Sequence, residues 1–145
     1  MKNLILSGLL IVLISACHEK KETVPEPLPV LEAIASKWRL VRSEYKQMDS
    51  VIVQPVQNGE VSIIAFRYDG LLLNEAGQAA CCAPSSYLIN GKPFEIKQIG
   101  EAPPPDPKCI YADCFACPQW ILTQEGDSLT VELCPDAKMY YVREK

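Results

Sequence analysis

Beyond residue 30 the chain alternates short apolar runs with turn-forming residues, and the runs have the length of strands. Trp38-Arg39-Leu40-Val41-Arg42 puts Trp38, Leu40 and Arg42 on one face and Arg39 and Val41 on the other. Val51-Ile52-Val53 is a second run, followed by the turn Gln57-Asn58-Gly59-Glu60. A third run, 61–68, ends at Asp69-Gly70 and leads into a fourth at 71–74. Asn58-Gly59 and Asp69-Gly70 are strong hairpin signals, because both turn positions tolerate positive φ. Ser86-Tyr87-Leu88-Ile89 and the run 94–99 form the next pair through Asn90-Gly91, with Phe94, Ile96 and Ile99 inward and Glu95 and Lys97 outward. A proline- and cysteine-rich loop covers 100–118. Trp120-Ile121-Leu122-Thr123 and Leu129-Thr130-Val131-Glu132-Leu133 make a hairpin through Glu125-Gly126-Asp127, and Met139-Tyr140-Tyr141-Val142 is the last strand. Only 31–35 suggests a helical turn. Eight or nine short strands in about 110 residues predict an all-β domain, a small antiparallel up-and-down β-barrel of about eight strands, with an unrelated sandwich as the alternative.

The N-terminus has a different pattern. Met1-Lys2-Asn3 is basic, and 4–16 follow without a charge. Thirteen residues are too few to cross a bilayer as a helix, which needs about 20, but they suit the apolar region of a signal peptide. Ile14-Ser15-Ala16-Cys17 resembles the lipobox of bacterial lipoproteins. That resemblance implies cleavage before Cys17, a diacylglyceryl group on its thiol, and acylation of the new amine. Two or three acyl chains anchor firmly where one does not, at roughly 0.8 kcal/mol per buried CH2. Residues 17–30 are then a lipidated N-terminus and a tether. Its alternating Pro25, Pro27 and Pro29 favour an extended chain, reaching roughly 40 Å at about 3.1 Å per residue. The expected organisation is a signal peptide over 1–16, the tether over 17–30 and a β-domain over 31–145. His18 after the cysteine, rather than aspartate, points to the outer membrane of a bacterial cell envelope, facing the periplasm or the surface.

Composition adds limits. Of 145 residues, 48% are hydrophobic and 22% charged, as in an ordinary folded domain. The net charge is -4, and loss of Lys2 with the leader makes the remainder slightly more acidic, which gives no footprint for nucleic acid.

The strand order resembles small lipocalin-like lipoproteins of the bacterial envelope. The likeness rests on a turn before Ser36-Lys37-Trp38-Arg39-Leu40, on Phe66-Arg67-Tyr68-Asp69-Gly70, on Trp120-Ile121-Leu122-Thr123 with Leu129-Thr130-Val131, and on a last strand ending at Arg143. In that family a Gly-X-Trp opens the first strand and a late arginine packs on the tryptophan. Trp38 and Arg143 hold those places, while Ser36 stands where the family has glycine.

Six cysteines remain besides Cys17, and an even number in an exported domain reads as disulfides. If Glu125-Gly126-Asp127 turns its hairpin, Cys117 and Cys134 lie opposite each other within about a residue, so they are expected to bond. Cys81 and Cys82 are adjacent, and a ring between neighbours is strained; they are expected to bond to Cys109 and Cys114 in an order left open. The competing reading is a metal site. Cys109, Cys114 and Cys117 with Cys134 have the plant-type [2Fe-2S] spacing, and four thiolates could hold zinc. It leaves Cys81 and Cys82 unexplained, so no metal or cofactor is expected.

His18 is the sole histidine, which removes a histidine-based triad from the domain, and no phosphate loop is present. The expectation is a binding protein rather than an enzyme. A barrel of eight strands can hold one small apolar ligand, with Trp38, Phe66, Tyr87, Phe94 and Trp120 as inward candidates beside Leu40 and Ile96. Core packing is the plainer role for each. The alternative is a protein-interaction module, an inhibitor or accessory subunit of an envelope complex. It would use the loop 101–118, where Tyr111 and Phe115 follow Pro103-Pro104-Pro105-Asp106-Pro107.

Overall fold

The computed structural model describes residues 25–57, 61–114, 117–134 and 136–145. The leader, Cys17, Asn58-Gly59 and Phe115 lie outside the described residues. The strands are β1 (Lys37–Gln47), β2 (Ser50–Pro55), β3 (Ile63–Phe66), β4 (Leu72–Asn74), β5 (Ser86–Ile89), β6 (Lys92–Glu95), β7 (Gln119–Glu125), β8 (Ser128–Leu133) and β9 (Ala137–Arg143). No α-helix occurs among the described residues; Pro107–Tyr111 is a 3-10 turn capped by the Asp106 carboxylate.

The strands form one curled sheet in the order β4-β3-β1-β9-β8-β7-β5-β6, with β2 paired to the far half of β1. It is a half-barrel, not the closed up-and-down barrel of the sequence expectation, and its pairing is mixed. β5 runs parallel to β7 from Ser86↔Gln119 to Ile89↔Leu122. The reason is the connection: β6 and β7 are joined by residues 96–118, long enough for the crossover that a parallel pair needs and too long for a hairpin. Closure fails because the terminal strands are poor partners. β6 holds Lys92, Pro93 and Glu95 in four residues, and β4 has three residues.

Side chains tie the two sheet ends where no ladder does. Asp69 is fully buried in the turn after β3. Arg67 donates to both its oxygens, Nε to Oδ1 at 2.8 Å and Nη2 to Oδ2 at 2.7 Å, and the Ile99 N–H donates to Oδ2 at 2.8 Å. The Tyr68 hydroxyl donates to the Ile99 carbonyl at 2.8 Å, and Arg67 Nη1 donates to the Glu101 carbonyl at 2.9 Å. Burial alone would push the Asp69 carboxyl up; the Arg67 guanidinium and the Ile99 and Leu71 N–H groups outweigh it and hold it below the usual aspartate value. These bonds pull Ile99 out of the β6 ladder and leave its side chain half-exposed, against the inward position its alternation suggests. Gly70 is needed here: its φ is +89°, and a Cβ would lie 2.6 Å from Phe94 Cε1.

The chain enters the domain at the same end. The Leu28 N–H donates to the Tyr68 carbonyl, and 28–35 make a helical turn that buries Leu31 and Ile34 completely. Trp38 donates from Nε1 to the Ile34 carbonyl at 2.8 Å. The Arg143 guanidinium lies 4.4 Å from the centre of the Trp38 ring and donates to the Ala33 carbonyl at 3.1 Å. Phe66, Leu72, Tyr87, Ile89, Leu122, Leu129, Val131 and Tyr141 complete this core.

Candidate functional site

Cross-strand register divides the concave face into rows. One row runs Leu129↔Tyr141↔Leu40, the next Leu122↔Val131↔Met139, and the last Trp120↔Leu133↔Ala137↔Tyr45. Leu129 and Tyr141 are buried, as are Leu122 and Val131. The last row has no plug over it. There the half-barrel opens into a cleft of about 570 Å³, lined by Tyr45, Trp120, Leu133, Ala137 and Met139, by Cys82 and by the Cys117–Cys134 pair. Lys46, Asp113 and Asp136 bring charge to the lining. The volume falls within the range of small-molecule sites, roughly 300–1,000 Å³.

Disulfides build one wall. Cys117 bonds to Cys134 across the β7–β8 hairpin, Cys81 to Cys109, and Cys82 to Cys114, which fixes the order that sequence leaves open. The hairpin turn is the two residues Gly126-Asp127, with Glu125 opposite Ser128. All six sulfurs are therefore in S–S bonds and offer no thiolate set to a metal.

The cleft and the chain entry lie at opposite ends of the sheet. Trp38 sits at the plugged end of β1 and Tyr45 at the open end, seven residues apart, or roughly 23 Å at about 3.3 Å per residue. The mouth thus points away from Leu28, where the described chain joins the sheet.

Of the five aromatic candidates, Trp120 alone lines this cleft. Trp38, Phe66 and Tyr87 are buried in the core, and Phe94 packs against it. Tyr87 is the hub of an aromatic cluster. Its ring meets Phe66 edge-on at 5.5 Å, lies parallel to Phe94 at 6.5 Å and tilts toward Trp120 at 6.5 Å. Its hydroxyl donates to the Gly70 carbonyl at 3.0 Å, and burial, with a smaller push from the Asp69 charge, holds its phenol far above the ordinary tyrosine value. Tyr111 ends the 3-10 turn of the crossover loop at 87% exposure, beside Ile110 at 77%.

Tyr45, Leu133, Ala137 and Met139 were not legible as a site. A register shift between Leu40 and Arg42 on β1 hides Tyr45, and local pattern does not say that the row of Leu133 and Ala137 lies at an uncovered end of the sheet. The shift reverses the alternation after Leu40, so Arg42 leaves the face it would share with Trp38. Arg42 instead lies 3.9 Å over the Tyr140 ring and pairs with Glu44 on the outer face, while Ser43 and Tyr45 turn inward. Trp120 and the expected Cys117–Cys134 bond are the signals that pointed here.

No protein-family model, curated protein or solved structure matches this chain.

Proposed function

We propose that this is a lipid-anchored lipoprotein of the bacterial cell envelope that binds one small apolar ligand in the open end of its half-barrel. The observation that carries the binding role is the cleft: about 570 Å³, apolar along a full row of four strands, and left open while the rest of the concave face is packed. At about 30 Å³ per non-hydrogen atom it has room for roughly 15–20 such atoms. Charged Lys46, Asp113 and Asp136 suit a ligand whose polar group stays near water. The role is carriage, not catalysis.

The anchoring part rests on the run 4–16 followed by Ser15-Ala16-Cys17, and three disulfides suit an oxidising compartment. The lipocalin-like part rests on the stacking of Arg143 on Trp38 at the start of β1. Placement in the outer membrane follows from His18 after the cysteine. With the tether entering at the plugged end, the mouth faces away from the bilayer, toward whatever delivers or collects the ligand.

The test is a titration of the full chain with fatty acids and hydrophobic dyes, followed by tryptophan fluorescence. Trp120 reports the cleft and Trp38 is sealed in the core, so a saturable change is expected, lost in Trp120→Leu. A flat response across the series refutes the binding role. For the anchor, Cys17→Ser should block lipid labelling and leave uncleaved precursor; normal labelling refutes it.

A second reading has its own observation. Ile110 and Tyr111 are exposed on a 3-10 turn pinned by Cys81–Cys109, a rigid presentation that suits a protein partner. Loss of a partner from pull-downs of Tyr111→Ala, with the fold intact, would favour it.

A further inference from the structure

Among the described residues three strands, β4, β6 and β2, end the sheet, and they are finished differently. β4 is covered: the Ala80 N–H donates to the Leu72 carbonyl, Leu73 bridges Ala79, and Asn74 bonds to Gln78. β6 is guarded by Lys92, Pro93 and Glu95, residues that discourage a strand from pairing. β2 has neither device. Its sequence, Ser50-Val51-Ile52-Val53-Gln54-Pro55, carries no charge, and all six residues are exposed. Val51 is 64% exposed and Val53 52%. Among the described residues β2 pairs with β1 alone.

We propose that β2 is a self-association edge, pairing antiparallel with β2 of a second copy about a two-fold axis near Ile52. The free edge itself selects an extended occupant, because only a strand satisfies a row of unpaired backbone N–H and C=O groups. The sequence selects a second copy. Val51 and Val53 flank Ile52, and Ser50 and Gln54 flank those, so the strand has the same pattern in both directions. A two-fold therefore sets Val51 against Val53 and Ser50 against Gln54, apolar on apolar and polar on polar. An isologous contact requires that self-complementarity, and no like charges meet across it. Pro55, which has no N–H, stops the ladder at its end.

A ladder of about five residues is smaller than the roughly 800 Å² per partner of a stable interface, so the dimer is weak when dilute and fills at high local concentration. Ile52 pairs with Tyr45, a lining residue of the cleft. Dimerisation thus sets two clefts on the same face of one continuous sheet, one on each flank of the β2–β2 seam. The proposal does not depend on the cleft being occupied.

Photo-crosslinking in cells with the full chain tests it. A benzophenone amino acid in place of Val51 should give a light-dependent adduct of twice the chain mass. The same probe in place of Lys92 on β6 should give none. Adding Val53→Lys should abolish the Val51 adduct, since it puts a charge opposite the probe. Absence of the doubled adduct at Val51, adducts with other proteins alone, or persistence in the Val53→Lys background each overturns the proposal. Sedimentation of the unsubstituted chain from micromolar to millimolar is the second measurement. A monomer–dimer equilibrium is expected, and a monomer at every concentration overturns the proposal.

Discussion

The two ends of the half-barrel are built from the same strands and differ in what lies over them. At the plugged end, Leu31 and Ile34 cover Trp38, and Arg143 closes over its ring. At the open end, Trp120 stands in an equivalent inward position with nothing comparable above it. One tryptophan is core and the other is a wall. The difference comes from chain connectivity: the helical turn at 28–35 reaches one end, and the crossover loop is held to the side of the other by Cys82–Cys114 and Cys117–Cys134.

The largest effect should separate the tryptophans. Trp38→Ala removes a fully buried side chain and the seat of Arg143, and should cost about 4 kcal/mol in denaturant unfolding. Trp120→Ala, half-buried at a cleft, should cost about 1–2 kcal/mol and remove ligand binding. Equal costs would erase the distinction between the ends. Replacing Cys117 and Cys134 together with Ser should cost about 3 kcal/mol, as expected for a loop of this size. It should also weaken binding, because the pair is part of the wall. Unchanged binding would show that the disulfides matter for stability alone.

Asp69→Asn should cost about 2–3 kcal/mol, since it leaves Arg67 facing a neutral group in a buried clamp. The pH dependence has a definite sign. Asp69 is held below the ordinary aspartate value in the folded chain, so its contribution is complete above that value and is lost as pH falls toward its own lower pKa. Urea midpoints measured downward from neutral pH should therefore drop below about pH 4 in the parent chain, and less so in Asp69→Asn. The smallest effect should come from Tyr111→Ala, within about 0.5 kcal/mol, because the side chain is 87% exposed. A larger loss would mean that the crossover loop folds onto the domain as a lid.

Much of the fold was legible. Every run from Trp38 to Val142 overlaps a strand, because short apolar segments between turn residues have few other ways to bury themselves, but of the run 94–99 only Phe94 and Glu95 belong to β6. Asn90-Gly91 gives the β5–β6 turn with both residues at positive φ. The parallel β5–β7 pair was not legible, because local pattern does not say which strand a 23-residue connection returns beside. The open sheet was hidden for a similar reason: closure depends on whether β4 and β6 can meet, a long-range matter. The cysteine pairing was half legible. Hairpin geometry fixed Cys117–Cys134, and adjacency excluded Cys81–Cys82, but only the folded loop assigns Cys109 and Cys114. Of the site, Trp120 was visible as an inward aromatic, Tyr45 was concealed by the bulge on β1, and Leu133 and Ala137 read only as ordinary strand positions.

Methionine methyl NMR tests the open end most directly. Besides Met1, the chain has two methionines, and they divide the question between them. Met139 lines the cleft, while Met48 stands at the β1–β2 turn, 87% exposed. With 13C-methyl methionine in the intact protein, titration with a medium-chain fatty acid should shift the Met139 resonance saturably and leave Met48 in place. A Met139 resonance that stays fixed through millimolar ligand, or one that moves only in step with Met48, would contradict a binding cleft at the open end.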